Sequence, residues 1–348
     1  MTITTPIQTS LTKLLGIKTP IVEAAMAGAS GGLLAAQVSL AGGFGFLSAG
    51  YDSVENLEKE INIARSLLQP NGDILPIGVG FLCWQLEKLP DKAEKLLTVA
   101  LENRVQAVWF AFGNDIGRWV NFVRENDPRA HTKDAVKIFI QVSTVPDLRL
   151  ALDTWKADVI VAQGNEAGGH GLSTSLTTLT LLPLFAQVVA ESNGPPLLAA
   201  GGLATGSQIA SLLTLGASGV VLGTRFLLSP ESLYTDVQRT ALVEADSFKS
   251  VRTMAFDYAR NTLGWPEGID GRGLRNATVD DYEKGEDMEI IRKKFAEGVR
   301  MNDTSRSVVW AGSAVGLMSK IIPAREILLE LHEECLQCLK NTSNLISK

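Results

Sequence analysis

Between Pro20 and Phe226 the chain repeats one pattern eight times: a short apolar run, a glycine-rich or polar break, then a helical segment. The runs occupy 20–26, 44–49, 75–82, 105–112, 137–142, 158–163, 196–200 and 219–226. Strands that alternate with helices pair in parallel through right-handed crossovers. Candidate helices lie between them, such as 31–40 and 54–68. The best marked follows Thr205, which stands three residues before Gln208 at capping-box spacing. Ile209, Leu212 and Leu213 then recur at helical spacing, and Gly216 stands where a helix would end. Eight such units point to a (β/α)₈ barrel. A doubly wound dinucleotide fold would carry GxGxxG in its first strand–helix turn, and MAGASGG at 26–32 lacks that spacing.

Beyond Phe226 the alternation fails. A helical stretch at 230–244 leads to a glycine-rich loop at 265–276 and a charged segment at 280–306. Apolar character returns at Val308, and a long amphipathic helix runs from about Pro323. The expected architecture is therefore α/β: a TIM barrel from 1–226 and 307–348, with a smaller α+β substrate or lid domain, 227–306, inserted after the eighth strand. The C-terminal helix would serve as the eighth barrel helix. The stretch DGRGLRN at 270–276 reads as a lid or as a subunit contact in a homodimer, and the sequence does not choose between them. Mixed charge at 280–300 reads as a solvated helix face.

A formal net charge of −6 argues against nucleic acid or an anionic membrane as partner. No stretch approaches about 18 uninterrupted apolar residues, so no membrane span is expected. The first residues lack the apolar core of a secretory signal, and the ending NLISK does not match the peroxisomal tripeptide. The expected location is the cytoplasm. Three cysteines form no disulfide framework. Cys335 and Cys338 lie in a helical stretch with Ile327 and Leu331, with no second ligand pair, and read as packed core thiols. With no HxH, HExxH or carboxylate cluster, no metal is expected; no GxSxG elbow supports a serine hydrolase.

Barrel active sites lie at the C-terminal ends of the strands, with phosphate commonly held after the last two. The sixth run ends in Gln163 and Gly164, followed by Glu166, the pair Gly168-Gly169 and His170. Adjacent glycines let a ligand approach the backbone, and histidine is the side chain that changes protonation near neutral pH. The seventh run ends in Gly201-Gly202, and the eighth in Gly223-Thr224-Arg225. Glycine N–H groups at helix starts suit a phosphate, with Arg225 as an added charge. Small residues and Met26 at the end of the first run, with aromatics at the ends of the third and fourth, suit a flat cofactor and an apolar substrate. Phe110 and Phe112 are read with at least one in the core. Of the three histidines, His131 and His332 read as solvent-facing, and His170 as functional. His170 would act as a proton acceptor, with Glu166 as an alternative base or a turn cap.

AQGNEAGGHG at 162–171, LLAAGGLATG at 197–206 and GASGVVLGTRFLLSPES at 216–232 together carry a resemblance. So do PIVEAAMAGASGG at 20–32 and AGSAVGLMSKIIPA at 311–324. The chain resembles the nitronate monooxygenase family, once called 2-nitropropane dioxygenases, and its fungal branch in particular. The resemblance implies an FMN-binding barrel that passes one electron from an alkyl nitronate to flavin. O₂ completes its oxidation to a carbonyl compound and nitrite, and neutral nitroalkanes enter the same route where a base removes their α-proton. By position it places FMN contacts on Ala25, Met26, Gln163, Gly164, Ala167, Gly168, Gly201, Gly202, Gly223 and Thr224, and the active-site histidine on His170. Two departures stand out: Gly80 where bacterial relatives often carry asparagine, and Gln141 where they often carry lysine. Flavin-dependent enoyl-[acyl-carrier-protein] reductases and NADH:quinone reductases share the EAGGH block and form the rival reading. Inosine monophosphate dehydrogenase needs a loop cysteine, for which Cys83, Cys335 and Cys338 are poorly placed. A non-catalytic FMN-binding protein is the reading from outside the enzymes.

Overall fold

The computed structural model describes residues 2–70 and 72–342. The apolar runs become strands β1 (Ile21–Glu23), β2 (Phe46–Ser48), β3 (Leu75–Leu82), β4 (Val105–Ala111), β5 (Lys137–Val142) and β6 (Val159–Gln163). After β7 (Gly169–Leu172) come β8 (Leu197–Ala200) and β9 (Gly219–Leu222), the seventh and eighth runs. Eight strands pair in parallel in the order β1-β9-β8-β6-β5-β4-β3-β2. A bridge between Val22 and Phe44 brings the last edge back to the first, so the sheet closes into the expected barrel.

Alternation along each strand sorts side chains into two layers. Val22, Phe46, Trp109, Phe139, Val161, Leu198 and Val221 point inward and fill the barrel. Phe46 meets Trp109 edge-on at 5.1 Å and Phe139 at 5.0 Å. Ile21, Leu47, Val79, Val108, Ile140 and Ile160 point outward, under the helices. The β1–β2 join has the fewest backbone bonds, and there the buried Glu23 accepts the Phe46 N–H at 2.9 Å. A side-chain oxygen thus satisfies a donor that a neighbouring strand would otherwise take.

The helix Ala324–Thr342 packs against Gly206–Thr214 on one side and Gly32–Leu40 on the other, in the place of an eighth barrel helix. That packing corrects the reading of His332, which is fully buried rather than solvent-facing; its Nε2 meets the Thr5 carbonyl at 3.1 Å. The N-terminal segment covers a face of the helix that local polarity had marked as exposed. Cys335 is buried with it, while Cys338 is half-buried. The NLISK ending lies outside the described residues.

Two element boundaries also differ. The eighth run stops being a strand at Leu222, and Thr224–Leu227 forms a helical turn. A continuous apolar run cannot distinguish a buried strand from a buried helical turn. The helix expected over 230–244 begins at Asp236, where Thr235 and Gln238 form a capping box.

Residues 227–306 hold helices Asp236–Glu244, Ala255–Arg260, Ala277–Glu283 and Met288–Arg300, with strands β10 (Ser250–Thr253) and β11 (Ile269–Leu274). Phe256, Val279, Ile291 and Phe295 form a small core of their own. The second sheet runs β10-β11-β7, all antiparallel, so its third strand comes from the loop after β6. His170 therefore sits in a strand, opposite Gly271, and not in a loop. A glycine-rich segment carries no strand propensity of its own, and pairing with β11 imposes the conformation. Among the described residues no helix is long and apolar enough to cross a membrane.

Candidate functional site

The C-terminal ends of the barrel strands open into a cleft enclosing about 1140 Å³ of non-protein space, its open mouth included. Its floor is small and apolar, with Ala24, Ala25 and Met26 after β1. Gly80 sits behind this floor: a Cβ there would lie 2.2 Å from the Ala25 Cβ, so a larger residue would displace Ala25. Gln141 and Gln163 line the cleft from β5 and β6. Gln163 donates from Nε2 to the His170 carbonyl at 3.0 Å, while its buried Oε1 meets no protein partner.

On one side, Gly201 and Gly202 follow β8 with φ of 112° and 69°, backbone that side chains rarely adopt. The N–H groups of Gly201, Gly202 and Leu203 have no protein acceptor among the described residues. Gln208 holds this loop from the helix behind it. Its Nε2 donates to the Gly202 carbonyl at 2.9 Å and its Oε1 accepts the Ala204 N–H at 2.8 Å. The capping box read at Thr205 is formed, and it places a helix start behind the free N–H groups. Gly223 and Thr224 line the same side. Thr224 Oγ1 accepts the Gly312 N–H at 2.9 Å, and a Cβ on Gly168 would lie 2.4 Å from that nitrogen. The segment 311–314 is thus pressed against Gly168 and Thr224, and only glycine permits the approach.

Free N–H groups at a helix start fit a phosphate. An orphaned amide oxygen beside an apolar floor fits the polar edge of a flat ring. The residues present therefore suit a phosphorylated, ring-bearing cofactor.

Ala25, Met26, Gln163, Ala167, Gly168, His170, Gly201, Gly202, Gly223 and Thr224 all line this one cleft. Gly164 does not: its N–H bonds the Ala200 carbonyl, and a Cβ there would strike Thr178 Oγ1 at 2.3 Å. Arg225 does not either; its guanidinium reaches the Lys320 carbonyl at 3.4 Å and Glu330 at 3.7 Å. Glu166 accepts the Thr178 N–H and hydroxyl at 2.8 and 3.1 Å, so it caps the helix Thr178–Glu191. Phe110 is buried in the core, whereas Phe112 lines the cleft.

His170 closes the cleft from above. Its Nε2 lies 3.0 Å from both carboxylate oxygens of Asp257, which is fully buried in the helix Ala255–Arg260. Asp257 Oδ1 also accepts the Thr262 hydroxyl at 2.8 Å and the Trp265 indole N–H at 3.2 Å. The Trp265 ring stacks on the imidazole at 3.6 Å and 11°, and Trp310 stands edge-on at 5.0 Å. Trp310 owes that approach to Gly271, where a Cβ would lie 2.5 Å from its ring. The imidazole Nδ1 has no protein partner and remains accessible.

Arg260 lines the cleft with its guanidinium 6.0 Å from the Trp310 ring, and no carboxylate pairs with it among the described residues. Burial pushes the Tyr51 phenol up to about 12, and the buried Tyr234 phenol is also raised, so both stay as neutral hydroxyls. Sequence reasoning missed Asp257, Arg260, Trp265 and Trp310, which lie 87 or more residues beyond His170 and carry no motif. Their one signal was the cluster of aromatics flanking the glycine-rich loop.

The chain is similar to known proteins over nearly its whole length. The family model described as "Nitronate monooxygenase" matches residues 8–334. A nitronate monooxygenase of Neurospora crassa is 35% identical, over 96% of this chain and 94% of that protein. Among solved structures, FabK from Thermotoga maritima superposes with a TM-score of 0.78 at 27% identity, over 98% of this chain and 100% of that one. Nitroalkane oxidase from Streptomyces ansochromogenes gives 0.76 at 25% identity, over 97% of this chain and 100% of that one.

Proposed function

The chain belongs to the nitronate monooxygenase family, and from that premise we propose that it is an FMN-dependent cytoplasmic enzyme acting on alkyl nitronates and neutral nitroalkanes. O₂ is the second substrate, and a carbonyl compound and nitrite are the products. The observation that carries the reading is His170: it lines the same cleft as the apolar floor, with Nε2 on Asp257 and Nδ1 without a protein partner.

In this reading each group of residues has its own task. The N–H groups of Gly201 and Gly202, with Gly223 and Thr224, hold the phosphate of FMN. Ala25, Met26, Gln163, Ala167 and Gly168 hold its ring, and Gly164 keeps the turn beneath. When bound, FMN supplies an acceptor for one electron from the nitronate and a route for it to O₂. Arg260 draws an anionic nitronate into the cleft by its unpaired charge. His170 takes the α-proton of a neutral nitroalkane at Nδ1, or holds a nitronate oxygen there once protonated. Trp265, Trp310 and Phe112 exclude water around that atom.

The purified protein, reconstituted with FMN and kept free of oxygen, should change its visible spectrum on addition of ethylnitronate. In air it should consume O₂ and release nitrite. Failure to bind FMN would overturn the proposal. The likeness to FabK motivates a second reading, a nicotinamide-driven reductase, and that reading requires NADH alone to bleach the flavin.

A further inference from the structure

We propose that Asp257 is a positioning residue that fixes the tautomer of His170, keeping the proton on Nε2 so that Nδ1 faces the substrate as a free base. The inference rests on the proposed nitronate chemistry for its consequence, but not for its geometry.

Hydrogen-bond chemistry sets the direction of each contact. The Trp265 indole N–H can only donate, and it is directed at Asp257 Oδ1 together with the Thr262 hydroxyl. Asp257 is therefore held as an acceptor, with His170 Nε2 3.0 Å from both of its oxygens. A ring nitrogen against two acceptor oxygens must carry the hydrogen, and a neutral imidazole carries one only. The lone pair is left at Nδ1, the accessible nitrogen.

The carboxylate is itself locked. Asp257 is fully buried, and Trp265 both bonds it and stacks on the imidazole. Pairing of β7 with β11 ties the His170 backbone to the inserted segment. Arg252 and Arg272 add bonds to the Asn165 carbonyl at 3.1 and 3.0 Å. The base and its partner thus come from different parts of the chain and are tied together by these bonds. The inserted segment supplies half of the proton-transfer unit.

The test is Asp257→Asn. Thr262 and Trp265 keep the carboxamide oxygen at the Oδ1 position, so the amide NH₂ faces Nε2. Nε2 must then accept, and the ring proton moves to Nδ1. In serine proteases the equivalent exchange costs about 10⁴ in rate through the wrong tautomer. With only three histidines, ¹⁵N-histidine labelling of the FMN-loaded protein resolves each imidazole, and His170→Asn identifies the His170 signals. We expect a protonated Nε2 in the wild type and a protonated Nδ1 in Asp257→Asn. Turnover of nitroethane should fall about 10²-fold or more, while turnover of ethylnitronate, already deprotonated, falls less than about tenfold.

A wild-type spectrum with the proton on Nδ1 overturns the proposal, even if the variant does not fold. So does a variant whose two substrates lose activity in equal proportion. If the wild type oxidises neither substrate, the proposed function fails, and the spectra still decide the role of Asp257.

Discussion

His170 Nε2 stands 3.0 Å from both carboxylate oxygens of Asp257, although 87 residues separate the two in the chain. The contact joins strand β7 to the helix Ala255–Arg260 of the inserted segment, and the antiparallel sheet β10-β11-β7 holds the two in register. The roof of the cleft is therefore not an independent cover. Displacing it would separate the imidazole from its acceptor and from the stacked Trp265.

His170→Asn should lower turnover of nitroethane by about 10² to 10⁴, the usual worth of a positioned acid or base. Flavin content should stay near wild type, while the thermal midpoint should fall, because the fully buried Asp257 loses its imidazole partner and Trp265 loses the ring it stacks on. Nitrite release at saturating nitroethane measures the effect. Unchanged release would remove His170 from the proton transfer.

Gly201→Val should abolish or greatly weaken FMN binding. The residue sits at φ 112°, and a Cβ would lie 3.0 Å from the Gly164 carbonyl and 3.1 Å from the Ala167 nitrogen. Strained backbone of this kind costs on the order of 1–3 kcal/mol, and the shift it forces would misdirect the free N–H groups. Quenching of FMN fluorescence on titration should show an affinity at least about tenfold weaker.

Glu23→Gln should flatten the dependence of stability on pH. Burial raises the Glu23 carboxyl well above 4.5, with the Phe46 N–H opposing the shift only in part. The unfolded chain releases this proton at lower pH than the folded one. The stability Glu23 contributes is thus complete below the unfolded value and declines as pH rises through the folded one. Glutamine mimics the neutral acid and cannot ionise. Its unfolding free energy should gain on wild type from about pH 4 upward, by at most about 1.4 kcal/mol per pH unit, with the thermal midpoint rising in step. Parallel melting curves across that range would show that Glu23 does not titrate.

Glu166→Ala should destabilise the fold by about 0.5–2 kcal/mol, the usual cost of a lost helix cap. Its carboxylate serves the Thr178 N–H where the formal cap residue, Thr177, offers no side-chain bond. Flavin-loaded protein should keep most of its activity toward ethylnitronate and nitroethane. Selective loss of nitroethane turnover would instead make Glu166 the base.

The barrel was legible because its signals are local. Eight apolar runs of strand length, separated by helical spacing, leave few other ways to bury their surface, and the box at Thr205 and Gln208 formed as its spacing required. Gly168, Gly201, Gly202 and Gly223 were legible for a related reason: their lack of a side chain is itself the signal, and they meet at one cleft. His332 was misread because its helix looked polar locally, while a segment more than three hundred residues earlier covers it.

Periodicity and backbone freedom are properties of neighbouring residues, so the barrel, the glycine cradle and a histidine at its mouth can be read from the chain alone. Folding in three dimensions makes Gly169–Leu172 a strand, turns Gly164 and Arg225 from the cleft, and brings Asp257, Trp265 and Trp310 around His170. Those relations depend on pairing and burial between distant segments. A hydrogen bond to an imidazole leaves no spacing in the chain, because the fold and not the sequence interval sets the distance between its partners.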